Sequence, residues 1–371
     1  MVQHIRRFTW EGVRGAEISV HPFVTEDELR LDLTRFRRED SDDVVLLLHG
    51  LTASSDLFIM PEVRNIVSFL HDNGFGDVWT LDFRMSNHFP YNTGTRRYTL
   101  DDIAHYDHPA ALRELRRHVG DRRIHVVAHC LGALSFSMSL FGGVVDDIAS
   151  LVVNSVSLTP RVPAWSRMKM MMGPALVERV IGLPYVDPRF IEAPAFTNRR
   201  LMARVVSLFH PECRVPACHM QSFMWASGRP GFFMHENLAP ETHVHDRLAD
   251  LNEASDLHYY RHIRKMVRAG HVVKYDSGDP RHAELPDDFL ARAGQITTPI
   301  LLMTGDHNRI FTDSNVVAYE LLSKAAPGRH EFTFLPGYGH IDPFMGKNAH
   351  VDVYPKVLAH LRAHSAERQV A

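Results

Sequence analysis

Short apolar, β-branched runs recur along the chain and alternate with helix-length stretches, a rhythm that predicts a mainly parallel sheet covered by helices. The runs lie at residues 44–48, 77–81, 124–127, 151–153, 300–303 and 331–334. Those at 44–48, 151–153 and 300–303 are apolar throughout, as suits strands buried on both faces. Ahead of them, residues 18–36 read as two strands joined by a turn at Thr25-Glu26-Asp27-Glu28. Between Pro160 and about Gln295 the strand rhythm stops. This stretch is rich in Met, aromatic residues and proline. A helical run at 165–172 is followed by Gly173-Pro174 and a second run to Ile181, and Phe223-Met224-Trp225 and Phe232-Phe233-Met234 come later. The prediction is an α/β core in two parts, 1–159 and 296–371, interrupted by a helical cap at 160–295. Methionine fills irregular apolar space well, so such a cap suits an adaptable apolar lining.

One segment carries chemistry. The strand at 124–127 runs into Ala128-His129-Cys130-Leu131-Gly132 and then into a helical pattern. This has the form of the nucleophile elbow G-x-S-x-G, with Ala128 at the first small position and Cys130 in place of serine. Small residues two before and two after the nucleophile let strand and helix approach each other. The helix that follows aims its N-terminal amides at the sulfur. An oxyanion hole in such a site takes two backbone amides. Leu131 should supply one, and Leu51, in the loop His49-Gly50-Leu51-Thr52 after the 44–48 strand, the other.

After the last apolar run, Leu335-Pro336-Gly337-Tyr338-Gly339-His340 places a histidine on a Gly-rich loop, where this fold carries its general base. The third member should follow the 300–303 strand, in Gly305-Asp306-His307-Asn308. The usual slot, three after the glycine, holds Asn308; Asp306 is the alternative carboxylate. A serine enzyme loses about 10⁴ in rate when its triad aspartate becomes asparagine. A cysteine that is already partly thiolate can pair with imidazolium and needs the third residue mainly to orient the ring. Nucleophile, third member and histidine then stand in α/β-hydrolase order, on an α/β-hydrolase fold with a mostly parallel central sheet, helices on both faces and an inserted helical cap.

From about Val24 to Leu361 the chain resembles the acid lipases, the gastric and lysosomal enzymes that cleave triacylglycerols and sterol esters. The likeness rests on Val24-Thr25-Glu26-Asp27, His49-Gly50-Leu51 with Ala53-Ser54, Asp77-Val78-Trp79, Arg84 with Ser86-Asn87, and Tyr106-Asp107-His108-Pro109-Ala110. Leu257-His258-Tyr259-Tyr260 with Gly270 and Tyr275-Asp276, then Ile341-Asp342-Pro343-Phe344-Met345-Gly346 and Val353-Tyr354, continue it. Cys130 and Asn308 depart from the lipases at the catalytic positions. The chain also resembles cysteine-bearing hydrolase-like proteins found with cholesterol-oxidase-like (GMC-type) flavin oxidoreductases, which implies association with such an oxidoreductase. The expectation is cleavage or transfer of the acyl group of a lipophilic ester or thioester through a covalent acyl-enzyme. The alternatives are an acyltransferase, as in polyester synthases that also use cysteine, and a non-catalytic lipid-binding partner of a flavin enzyme.

The remaining signals are mostly exclusions. A formal net charge of -3 gives no basic field for nucleic acid. No apolar run reaches the roughly 18 residues of a membrane span, and the N-terminus lacks the apolar stretch of a secretory signal. Three cysteines, Cys130, Cys213 and Cys218, make no disulfide framework, and a reduced cytoplasmic setting is the simplest reading. No dinucleotide or phosphate fingerprint is present, and no cofactor is expected. The segment from His210 to His219 contains four residues of zinc-binding type, His210, Cys213, Cys218 and His219. Its two prolines and irregular spacing read as a cap loop, with no metal.

Overall fold

Every predicted strand forms: β1 (Glu17–Val24), β2 (Arg30–Arg37), β3 (Asp43–Leu48), β4 (Asp77–Asp82), β5 (Arg123–His129), β6 (Ser150–Asn154), β7 (Ile300–Gly305) and β8 (Glu331–Leu335). The computed structural model describes residues 9–211, 213–223, 225, 234–238 and 244–365; Glu212, Met224, Phe232 and Phe233 lie outside the described residues. The strands join in one sheet of order β1-β2-β4-β3-β5-β6-β7-β8. β1 pairs antiparallel with β2, and β2 with β4; every other neighbour pair is parallel. The uniformly apolar runs are explained by two cores, one on each face. Along β3, Val44, Leu46 and Leu48 enter one core, and Val45 and Leu47 enter the other. Helices α2 (His108–Val119), α3 (Cys130–Gly142) and α8 (Ser314–Ala325) cover the first face; α1 (Ile66–His71) and α9 (Tyr354–Ala363) cover the second. Because β3, β5, β7 and β8 are parallel, their carboxyl ends share one edge of the sheet, where open α/β sheets place their ligands.

Between β6 and β7 the chain builds the predicted helical insert from α4 (Ala164–Ile181), α5 (Asn198–Leu208), α6 (Pro216–Ser222) and α7 (Leu257–Ala269). A two-residue antiparallel pairing joins Tyr185-Val186 to Ser255-Asp256. The Gly173-Pro174 pair does not divide α4, contrary to the sequence expectation. Ser166, Met170, Gly173, Pro174 and Val177 form its buried stripe, and α4 packs on α7. The proline removes one backbone donor, but it lies on the packed face beside a glycine, and tertiary burial outweighs the local break. The last part of the insert lies along the core. Arg292 donates to the Gly142 carbonyl at the end of α3, and the Val272 amide donates to the Leu158 carbonyl. The outer surface of α4 and α5 leaves Trp165, Met172, Leu176, Leu201 and Leu208 exposed. Among the described residues no helix is long and apolar enough to cross a membrane.

Three lipase-like motifs meet at one buried ion cluster. Arg84, after β4, donates to both carboxylate oxygens of Asp27 at 2.9 Å. It also donates to Asp107, just before α2, through Nε at 2.9 Å and through its backbone amide at 3.0 Å. The Arg84 side chain is fully buried. Burial alone would pull its pKa down, but the Asp107 and Asp27 carboxylates hold it above the ordinary value. The cluster ties the β1–β2 turn to the loop after β4 and to the start of α2.

Candidate active site

Cys130 is the first residue of α3, directly after β5, and its φ is +53°. A side chain larger than glycine rarely holds this left-handed conformation, and it persists only where the surroundings enforce it. The glycines around the turn show why it can form. A Cβ on Gly132 would lie 2.1 Å from the His49 carbonyl oxygen, and one on Gly50 would lie 3.1 Å from the Cys130 Cβ. The turn therefore wedges between the ends of β3 and β5, with room for hydrogen atoms only.

The backbone amides of Leu131 and Leu51 lie close enough to the Cys130 sulfur to favour its charged form, against the effect of burial. These are the two donors that the sequence nominated for an oxyanion. The loop carrying Leu51 is pinned by Asp82 at the end of β4. Asp82 accepts from the Ser55 amide at 3.0 Å, the Ser55 hydroxyl at 2.7 Å and the Ser86 hydroxyl at 2.7 Å. His88 lies between Asp82 and Asp56, 3.2 and 3.3 Å from their oxygens. Burial would lower its pKa, but the two carboxylates hold it up to about 10, so it stays charged at neutral pH.

His340 is buried beside Cys130. The Cys130 sulfur and one ring nitrogen each of His340 and His129 all lie within 4.8 Å of one another. Burial pushes the Cys130 thiol up to about 12, against the pull of the Leu131 and Leu51 amides, and holds His340 down to about 3. The sequence expectation of a partly ionised thiol is corrected here. In an enclosed apolar setting each separate charge is costly, so the resting pair is a neutral thiol and a neutral imidazole.

The two candidates for third member are clearly separated. Asp306 is exposed, and its carboxylate accepts from the Gly337 amide at 2.8 Å. Asn308 is buried. Its Oδ1 accepts from the Ile310 and Phe311 amides at 3.0 and 3.4 Å, and its Nδ2 donates to the hydroxyls of Thr304 at 3.1 Å and Ser155 at 3.2 Å. Ser155 in turn donates to the His340 carbonyl at 3.4 Å. Asn308 thus reaches the histidine loop through Ser155. Gly305 permits this close approach: a Cβ there would lie 2.0 Å from the Tyr338 carbonyl oxygen.

The model of the alpha/beta hydrolase family matches residues 45–350. The chain belongs to the alpha/beta hydrolase family. It is 24% identical to Triacylglycerol lipase 1 of Arabidopsis thaliana, over 92% of this chain and 86% of that one. Identity to gastric triacylglycerol lipase of Bos taurus is 21%, over 93% and 88%. Among solved structures, a thermostable carboxyl esterase from Bacillus coagulans shares the fold with a TM-score of 0.59 at 11% identity, covering 93% of this chain and 98% of that one. An esterase from Pyrococcus furiosus gives a TM-score of 0.52 at 16% identity, covering 96% of each.

Four neighbours in this family member's site escaped the sequence reading. Asn154, at the end of β6, donates to the His129 Nδ1 at 2.9 Å and to the His340 carbonyl at 3.3 Å. Accepting at Nδ1 leaves the His129 proton on Nε2. Ser155 has a φ of +56° and holds the next position of the same turn. His129 packs edge-on to His340, with ring centroids 5.0 Å apart. Tyr260 comes from α7 and is fully enclosed, with its pKa raised to about 12 by burial. His129 stood inside the elbow motif and Tyr260 inside a lipase-like segment, but spacing along the chain does not reveal that they converge. The pocket between core and insert is lined by Leu51, His129, Cys130, Trp225, Tyr260 and His340 and has a volume of about 40 Å³. That is room for a few waters.

Proposed function

We propose that the chain is a cysteine-dependent acyl hydrolase acting on lipophilic esters or thioesters through a covalent acyl-enzyme. The observation that carries the reading is the convergence on one sulfur. Cys130 sits at a strained elbow, the Leu51 and Leu131 amides lie beside its sulfur, and a buried imidazole lies within 4.8 Å. The sulfur attacks the acyl carbon while His340 takes the thiol proton, and the S–H bond breaks as the S–C bond forms. The carbonyl oxygen gains negative charge and receives the Leu51 and Leu131 amides, which are already in place and need no reorganisation. As the tetrahedral species collapses, His340 returns the proton to the leaving alcohol or thiol. Water then attacks the thioester with His340 as base; the C–S bond breaks, His340 returns the proton to the sulfur, and the acid leaves. Because thiol and imidazole start neutral, proton transfer accompanies attack.

The lipophilic substrate class is supported by the lipase relatives, the apolar pocket walls and the apolar outer surface of α4 and α5. The insert acts as a cap in this reading. The pocket, with about 40 Å³ of free space, suits a reading in which the cap shifts as substrate enters.

The test is to trap the intermediate. After brief mixing with a medium-chain p-nitrophenyl ester and an acid quench, the peptide containing Cys130 should gain the acyl mass and lose it to hydroxylamine. Acyl mass on another residue, or continued turnover without any adduct, would refute the mechanism.

Asn308 is the positioning residue in this scheme, acting on the His340 loop through Ser155. Asn308→Ala should lower kcat by up to ~10²-fold with little change in KM, as expected when a reacting group is slightly misplaced. Asp306→Ala, at an exposed site, should leave both within about twofold. Steady-state kinetics on the two variants would decide, and the reverse order would transfer the role to Asp306.

A further inference from the structure

Away from the elbow, the structure gathers four metal-binding side chains that are scattered in the sequence. Cys213 lies in the loop before α6, Cys218 on α6, His235 at the start of a short turn of helix (His235–Asn237), and His245 in the turn before Leu248. One ligand atom from each, two sulfurs and two ring nitrogens, lies within 4.8 Å of every other. A tetrahedral zinc with Zn–S of about 2.3 Å and Zn–N of about 2.0 Å needs ligand-to-ligand separations of about 3.3 to 3.8 Å, so the cluster can close on a metal with small side-chain shifts. Cys218 is buried, and the other three are half-buried.

We propose that Cys213, Cys218, His235 and His245 form a structural zinc site in the insert. Two thiolates and two neutral imidazoles are the ligand softness and geometry that favour zinc over hard cations such as magnesium or calcium. The charge balance also suits burial. Zinc displaces two thiol protons, and the resulting site carries no net charge. Orientation is supplied from outside the ligand set. His219 places Nε2 3.1 Å from the Cys213 sulfur, while its Nδ1 lies 2.9 Å from the Ser207 hydroxyl on α5. Hydrogen bonds of this kind fix ligand geometry in metal sites. Four closed protein ligands leave no open position, so the role is structural, not catalytic.

The placement gives the metal a mechanical task. Next to His235, Asn237 donates to Asp342 Oδ2 at 2.6 Å, and the Met234 amide donates to the same oxygen at 3.3 Å. Asp342 also accepts from the Gly339 amide, beside His340. On the far side of His245, the Glu253 amide donates to the Thr52 carbonyl in the loop that carries Leu51. A zinc ion would staple three separate segments of the insert and hold them against both loops of the elbow site. This inference is independent of whether Cys130 forms an acyl-enzyme.

The test is metal analysis of the purified full chain. Wild type should contain about one zinc per chain, and Cys213→Ser and Cys218→Ser each less than about 0.2. Cys130→Ser should retain the metal, which separates this cluster from the neighbouring set of His129, Cys130 and His340. Cobalt exchanged into wild type should give a thiolate-to-cobalt charge-transfer band that the Cys213 and Cys218 variants lack. Removing zinc with a chelator should lower Tm reversibly, so the result does not depend on a variant folding. Wild type that holds neither zinc nor thiolate-bound cobalt would overturn the proposal. So would zinc lost from Cys130→Ser but kept in Cys213→Ser, or a Cys213–Cys218 disulfide in the metal-free protein.

Discussion

Replacing Cys130 with alanine is expected to lower kcat on medium-chain acyl esters by on the order of 10⁵-fold, leaving only what binding and the two oxyanion amides supply. Cys130→Ser should be nearly as inactive. Serine is a far weaker acid than a thiol, and His340, held down to about 3 by burial, is a poor base for it. A weak base penalises the less acidic hydroxyl more than the thiol. The measurement is initial rate against ester chain length for wild type and both variants, with far-UV circular dichroism to confirm folding. An alanine variant within about tenfold of wild type would remove Cys130 from the chemistry. A serine variant faster than wild type would mean that the pocket is tuned for a hydroxyl nucleophile.

The largest stability effect should come from the ion cluster below the site. Arg84→Ala leaves Asp107 buried without its cation, and leaves the half-buried Asp27 with only Arg96, 3.4 Å away. Breaking a buried pair from one side typically costs about 3–5 kcal/mol, most of it the uncompensated charge. Urea denaturation should show a loss of that size. The combined variant Arg84→Met, Asp27→Asn, Asp107→Asn should recover much of it, because no charge is then stranded. If the single and combined variants were equally unstable, lost packing and not charge would explain the effect.

The sheet was legible because its signal is local. A strand covered on both faces is apolar along most of its length, and 44–48, 151–153 and 300–303 could hardly be anything else. The elbow was legible for a related reason: Gly132 has no alternative when a Cβ would strike the His49 carbonyl. Arg84, Asp27 and Asp107 could be seen as motif residues, but their shared ion cluster could not. Contacts that join distant positions were invisible. Asn154 serves His129 and His340 across 25 and 186 residues, and no periodicity encodes such a link. The four residues proposed to hold zinc are scattered in the same way: His235 and His245 lie well beyond the stretch that contains Cys213 and Cys218. Pro174 misled because a propensity rule describes an isolated helix, and α4 is held by what it packs against. The thiol's protonation state misled because burial is a property of the folded chain.

That protonation state bears on how the protein survives between turnovers. Electrophiles and peroxide consume thiolates in reach of solvent, and the resting Cys130 is neither charged nor accessible. In the proposed mechanism the sulfur is armed only when a carbonyl lies against it and His340 removes its proton in the same event. Under that mechanism an enclosure that slows entry also acts as a safety catch, keeping an oxidisable nucleophile intact in the absence of substrate.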